Sequence, residues 1–513
     1  MFRKRKRGQL GLNEPLRHPD HSRPVTRRDF LAQGFMTGAA TVVAPSLLGL
    51  LASPGKSWAA LSPDIQALKD PAICNIQAGA GKVPFICFDL AGGANIAGSN
   101  VLVGKEGGQR DFLTTAGYSK LGLPGDMTPA SSTANFIESR MGLLFHTDSA
   151  FLRGMLTTMQ PSTMANIDGL IIPARSENDT STNPHNPMYG IARTGSRGEL
   201  LTLIGSQSSD SGGNSMAPAM MIDPKIRPTK VDRTSDATGL IDTGELGTLL
   251  PQADTVAVME SIERVSWNKL GRVTTGLATD ADAKKLVRCG YVKTAYLADS
   301  FGDPTVTDPS RDPFIPGIFA GVGGMNADRE FEKTAAVMKL VVNGYAGAGT
   351  ISMGGFDYHT GERATGEMRD FRAGQCMGAC LEYAARIQQP LMLYVFSDGS
   401  LSSNGMVDNS TGGRGKGVWT GDNQQTGAAF FLVYNPTGKP NLLIPGRQIG
   451  YFRPTGDVET GGSVAANNVN LLVETVILNY MALHGEQGQF RTLFPNSSIS
   501  NTLIDSMVAF API

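Results

Sequence analysis

Histidine and cysteine are scarce in this chain: six and five among 513 residues. Only four of the histidines, His146, His185, His359 and His484, lie beyond residue 60. The cysteines, Cys74, Cys87, Cys289, Cys376 and Cys380, are odd in number and irregularly spaced, which does not read as a disulfide framework. Cys376 and Cys380 stand four apart on an expected helix and share one face, as buried thiols do. Charge of one sign is also lacking, with a net of −1. Residues 1–60 hold ten Lys/Arg and three Asp/Glu, so residues 61–513 keep 35 basic and 43 acidic residues, a net of −8. That balance gives no basic face for nucleic acid. Beyond residue 60 no apolar run approaches the ~18 residues of a spanning helix. Nucleotide motifs are missing too. "GGRGKGV" (412–418) puts Gly417 where a phosphate loop needs Ser or Thr, and "GVGGMN" (321–326) lacks the third fingerprint glycine. There is no zinc-protease helix and no Gly-x-Ser-x-Gly elbow.

Glycine, by contrast, is abundant at 62 residues, well above the usual ~7% and a sign of many tight turns. The N-terminus reads as an address. A basic start, "FRKRKR", precedes "TRRDFLA" (26–32), then "FMTGAATVVAPSLLGLLA" and "SPGKSWAA". Arg27 and Arg28 followed by Phe30 and Leu31 look like a twin-arginine signal, with cleavage expected after Ala59 or Ala60. A retained N-terminal anchor is the alternative. The twin-arginine translocase would be a partner during export, and the expected location is the periplasm or cell envelope.

Along the chain, "KVPFICFDLAGG" (82–93) reads as a buried central strand, and "LLTLIGS" (200–206) as a second. Helical patterns cover about 252–270, 279–299 and 326–345. "GAGTISMGGFDYH" turns to strand, 363–388 is helical, and 390–400 and 427–435 are strands. A last helix covers 467–484. Alternating strands and long helices predict an α/β fold with a large, mainly parallel sheet flanked by helices. The organisation expected is a signal segment over 1–60 and one domain over 61–513, with a loop-rich insertion at about 153–250. Residues 401–426 read as a long Gly/Asn-rich loop.

Ligands of such sheets bind beyond the carboxyl ends of strands. "MGGFDYHTGE" (353–362) places Asp357 and His359 there, two apart, so that an extended backbone points both the same way. An Asp–His pair fixing a turn and a pair of metal ligands are both open readings. His146 is ambiguous, His185 reads as a loop histidine, and His484 sits where it would offset a helix dipole.

The order of motifs resembles the exported family catalogued as domain of unknown function 1501, itself similar in fold to sulfatases and alkaline phosphatases. The motifs are "LAGGAN" (90–95), "GGFDYH" (354–359), "FSDGS" (396–400) and "GVWTGDNQ" (417–424), and the resemblance covers roughly 80–480. It implies metal ligands at Asp357, His359, Asp398 and Asp422, with Asn95 near them, all at the carboxyl edge of one sheet. The family pattern has Asp where this chain has Asn95, Glu where it has Asp398, and His where it has Asn423. Each Asn removes a charged or imidazole ligand from a two-metal site. The expected cofactor is therefore a single divalent metal ion. Ser99 is the nearest candidate nucleophile. Three functions follow: a degenerate member that binds an envelope partner or a small anionic ligand; a metal-dependent hydrolase of phosphate or sulfate esters; or a structural envelope component.

Overall fold

A computed structural model describes residues 61–513, apart from 71, 75, 77–80, 130–134, 177–182, 242–248, 275 and 277. The signal-like segment, with Arg27 and Arg28, lies outside the described residues. The described chain separates into two compact units, one formed by 243–303 with the residues up to Ile76, the other by 77–242 with 304–513. The sequence reading had one domain over 61–513.

The smaller unit is a helical hairpin. Helices Gln252–Leu270 and Asp280–Ser300 run antiparallel, since Gln252 Nε2 donates to the Asp299 carbonyl at 2.6 Å while Arg288 pairs with Glu263 at 2.7 Å. Val256, Met259, Val292, Ala295 and Tyr296 close its core with Ile65 of the short helix Pro63–Leu68. Cys74 and Cys289 form a disulfide across 215 residues. The cysteine spacing did not read as a disulfide framework, yet two of the five are paired. Partners so far apart leave no spacing signature; the packing of 72–74 on the second helix brings them together. Cys87, Cys376 and Cys380 are free and buried, as expected of thiols on packed faces.

Among the described residues the larger unit has eleven strands: β1 Phe85–Leu90, β2 Ile137–Glu138, β3 Phe145–His146, β4 Ile167–Pro173, β5 Leu201–Gly205, β6 Thr229–Lys230, β7 Ala346–Met353, β8 Leu391–Phe396, β9 Leu401–Asp408, β10 Lys416–Asp422 and β11 Ala428–Tyr434. Seven form the central sheet, in the order β4-β11-β8-β1-β7-β5-β6. All its pairings are parallel except those of β11, which is antiparallel to both β8 and β4. The protein is α/β, with a large, mostly parallel sheet flanked by helices, consistent with an alkaline-phosphatase-like arrangement. β1 reads FICFDL and is buried on both faces, as a central parallel strand must be. Ile86 and Phe88 face one core, which contains Val337 and Val341 of helix Arg329–Val342 and Cys376 and Cys380 of helix Ala364–Arg386. Phe85 and Cys87 face the other, against Leu472, Val476 and Ile477 of helix Val469–Ala482.

Two loop readings change. The segment 153–250 is not an insertion over the sheet, because it supplies β4, β5 and β6 to it. β5 coincides with the strand read at 200–206, whereas β4 and β6 were not read from the sequence. Residues 401–426 are also ordered. β9 and β10 pair antiparallel with two irregularities in register. Residues 404–407 of β9 are all exposed, so the strand carries no sustained alternation to read.

Candidate metal site at the carboxyl edge

Beyond β7 the chain turns through Gly354 and Gly355, the latter at φ +86°. It then runs extended, with Phe356 and Tyr358 buried and Asp357 and His359 turned outward. The alternation of aromatic and polar residues in FDYH causes this, since an extended backbone sends alternate side chains to opposite sides. Both aromatics are tied down. The Phe356 N–H donates to the Ala91 carbonyl at 3.2 Å. The Tyr358 hydroxyl donates to Asp370 Oδ1 at 2.7 Å and accepts from the Asn95 N–H at 3.0 Å. Gly92 packs closely on this segment: a Cβ there would lie 2.9 Å from the Asp357 nitrogen.

The third member arrives on the β9–β10 ribbon. The Gly361 N–H donates to the Trp419 carbonyl at 2.9 Å, and Glu362 bridges antiparallel to Trp419. Residues 359–362 therefore run beside β10, which ends at Asp422. His359 Nε2 lies 2.7 Å from Asp357 Oδ1 and 3.4 Å from Asp422 Oδ2. One ligand atom from each of Asp357, His359 and Asp422 falls within 4.8 Å of the others. Two carboxylates and an imidazole are a ligand set that zinc and its neighbours accept. All three reach solvent.

Asp398 and Asn95, expected in the same group, are placed otherwise. Asp398 is buried, and its Oδ1 accepts from the Gly92 N–H at 2.7 Å. The carboxylate thus caps the turn on which Asp357 packs; it is not one of the three converging ligands. Asn95 is buried too. Its Nδ2 donates to the Ala97 carbonyl at 2.8 Å and its Oδ1 accepts from the Ser99 hydroxyl. The amide is consumed by its own turn. Ser99 has no exposure, and its Oγ also accepts from Arg363 Nη2 at 2.9 Å, so it is not presented as a nucleophile. Asp89, at the end of β1, accepts from the backbone N–H groups of Asn214 and Ser215 at 2.7 and 2.9 Å; burial raises its pKa.

Among the described residues, burial disfavours the charged form of the other histidines. Burial lowers His146 and His484 to about 4 and His185 to about 3. His484 accepts from the Val83 N–H at 3.4 Å, so it carries no charge to offset a helix dipole.

Sequence reading missed the support beneath the site. Arg363 is buried, stacks 4.7 Å over the Trp419 ring and pairs with Glu367 at 2.7 Å. Lys416, wholly buried, pairs with the same Glu367 at 2.8 Å. It is the lysine of "GGRGKGV", and it faces a carboxylate. Asp370 accepts from Tyr358 and, at 2.7 Å, from Asn100 Nδ2. Burial raises Asp370 to about 7, although these hydrogen bonds pull the other way. Only the inward half of the FDYH alternation hinted at such a layer.

The sheet and this group define an α/β protein with a candidate metal site at its carboxyl edge. No family model matches the chain, and no curated protein matches it.

Proposed function

We propose that this chain is an exported protein that binds one divalent cation through Asp357, His359 and Asp422, and that it serves to bind a partner or a small anionic ligand at the cell envelope. The observation that carries this reading is the convergence of the three ligand atoms within 4.8 Å. A cation held by three protein groups keeps coordination positions open, and an anionic ligand can take them. The resemblance to the sulfatase-like exported family supports the same location for the site. Hydrolysis of phosphate or sulfate esters is disfavoured by the residues around it. A two-metal mechanism needs further ligands to clamp the attacking and leaving oxygens. Asp398 and Asn95 are engaged in holding turns, and Ser99 is buried.

Metal analysis of the protein purified after native export is expected to give one equivalent per chain. Asp357→Asn and His359→Ala should each abolish it. Thermal stability should fall with the metal, by about 2.7 kcal/mol where free metal stands at a hundred times its dissociation constant. Two metals per chain with brisk ester hydrolysis would establish the hydrolase instead. An absence of metal, with Asp357→Asn thermally neutral, would reduce the cluster to a polar turn.

Export has its own support. A disulfide suits an oxidising compartment, and Cys74–Cys289 is one. Replacing Arg27 and Arg28 together by Lys should leave precursor in the cytoplasm, with Cys74 and Cys289 reactive towards a thiol reagent. A processed, thiol-protected double variant outside the inner membrane would refute the twin-arginine reading.

A further inference from the structure

The tip of the helical hairpin combines two features that rarely meet on a surface exposed only to water. The first is exposed apolar bulk. Leu286 is 74% exposed, Val273 50%, Val287 44%, Ile73 40% and Trp267 37%. Scattered apolar residues are ordinary on surfaces, but these five sit together at one end. Trp267 closes the first hairpin helix, Val273 lies in the connection, and Leu286 and Val287 fall in the second turn of the next helix. Ile73 is held there by the disulfide of its neighbour Cys74 to Cys289, and by Lys285 Nζ donating to the Ala72 carbonyl at 3.3 Å.

The second feature is charge. From Trp267 to Cys289 there are five basic residues, Lys269, Arg272, Lys284, Lys285 and Arg288, against Asp280 and Asp282; Glu263, just outside this span, pairs with Arg288 at 2.7 Å and leaves a net of +2. Residues 61–513 together carry a net of −8, so the tip is positive against the sign of the rest. Lys269, Arg272 and Lys285 are exposed. Lys284 pairs with Asp280 at 2.6 Å, and the Arg288 guanidinium lies 4.3 Å over the Trp267 ring.

Basic residues surrounding a tryptophan and aliphatic side chains form the chemistry of an anionic lipid interface. The cations meet phosphate headgroups while the apolar groups enter the acyl boundary. Among the described residues no helix is long and apolar enough to cross a membrane, so this contact is peripheral. We infer that the hairpin tip, presenting Trp267, Lys269, Arg272, Val273, Lys285, Leu286 and Val287 with Ile73, is a docking surface for an anionic phospholipid bilayer. Tip-to-tip pairing of two copies would bring like charges together, whereas an anionic bilayer takes the basic and the apolar groups at once.

Vesicle flotation of the exported protein tests this, comparing phosphatidylcholine vesicles with vesicles containing roughly 30% phosphatidylglycerol, a physiological fraction. Leu286→Asp with Val287→Asp removes the apolar part. Lys269→Glu, Arg272→Glu and Lys285→Glu together reverse the charge. Each protein is taken after export with its N-terminal segment removed, so that segment adds no membrane affinity of its own. Both variants change exposed side chains, and their helix content and Cys74–Cys289 disulfide are checked by circular dichroism and thiol titration. The expected result is about tenfold tighter partitioning onto the anionic vesicles, lost in either variant and weakened by about 0.5 M salt, which shortens the screening length. Equal binding by wild type and both variants overturns the inference. So does a salt-resistant protein dimer that Leu286→Asp dissolves while vesicles go unbound, which would identify a second copy as the occupant.

Discussion

Replacing Arg363 by Met should lower the stability of the sheet unit by about 3–5 kcal/mol, the usual cost of removing one partner from a buried ion pair. Its guanidinium is 2% exposed and reaches four groups. Nη2 donates to Glu367 Oε1 at 2.7 Å and to Ser99 Oγ at 2.9 Å; Nη1 donates to the Gly417 carbonyl at 3.2 Å; the plane stacks on Trp419. Met fills similar volume but leaves the Gly417 carbonyl and the Ser99 hydroxyl short of a donor, at a cost of about 1–3 kcal/mol for each buried group. Glu367 would keep Lys416 at 2.8 Å and Arg153 at 2.5 Å, which holds the loss towards the lower end. Arg363→Lys keeps a charge without the planar fork and should fall between. Trp419 lies on β10, which ends in Asp422, so metal affinity should fall as well. Urea unfolding with the disulfide intact measures the first effect, and metal titration the second. A loss below about 1 kcal/mol would mean that the pair contributes little beyond its packing.

A pH experiment addresses Asp370. Burial raises its pKa from 3.8 to about 7, with a smaller upward contribution from Glu367. An acid whose folded-state pKa is raised binds more protons when folded than when unfolded. Its contribution is therefore largest below about pH 4 and is lost as pH climbs towards 7. Between pH 5 and pH 8 the loss is about 3 kcal/mol, from 1.36 kcal/mol per unit. Asp148 runs the other way, because Arg414 and Lys416 outweigh its burial and lower it to about 2. The total stability curve mixes such groups, so the informative quantity is wild type minus Asp370→Asn. That difference should shrink by about 3 kcal/mol from pH 5 to pH 8. Parallel curves for the two proteins would show that Asp370 titrates normally.

The strands and helices of the core were legible because their signals are local. FICFDL announces a strand buried on both faces, and helix Gln252–Leu270 was read to the residue. The site was half legible. Spacing alone puts Asp357 and His359 on one side of an extended chain. Asp422 could be placed only by family order, since its strand pairs with a β9 that carries no sustained alternation. Asp398 and Asn95 show the limit of that order. A residue can stand at the motif's position while its side chain is taken up by a backbone N–H or by a neighbouring hydroxyl, and nothing in the letters distinguishes the two. Cys74 and Cys289 were illegible for a different reason: their encounter depends on the chain leaving one unit, building most of a sheet and returning.

The alternation at 356–359 has a further consequence. Phe356 and Tyr358 hold the backbone from inside, while Asp357 and His359 only project from it. Position and reactivity are thus encoded by different residues. The outward pair can exchange identity with little disturbance to folding, as substitutions of exposed side chains usually do. The segment is in this sense a socket. Sequence drift can change the groups it presents, and the mounting beneath would keep the same shape.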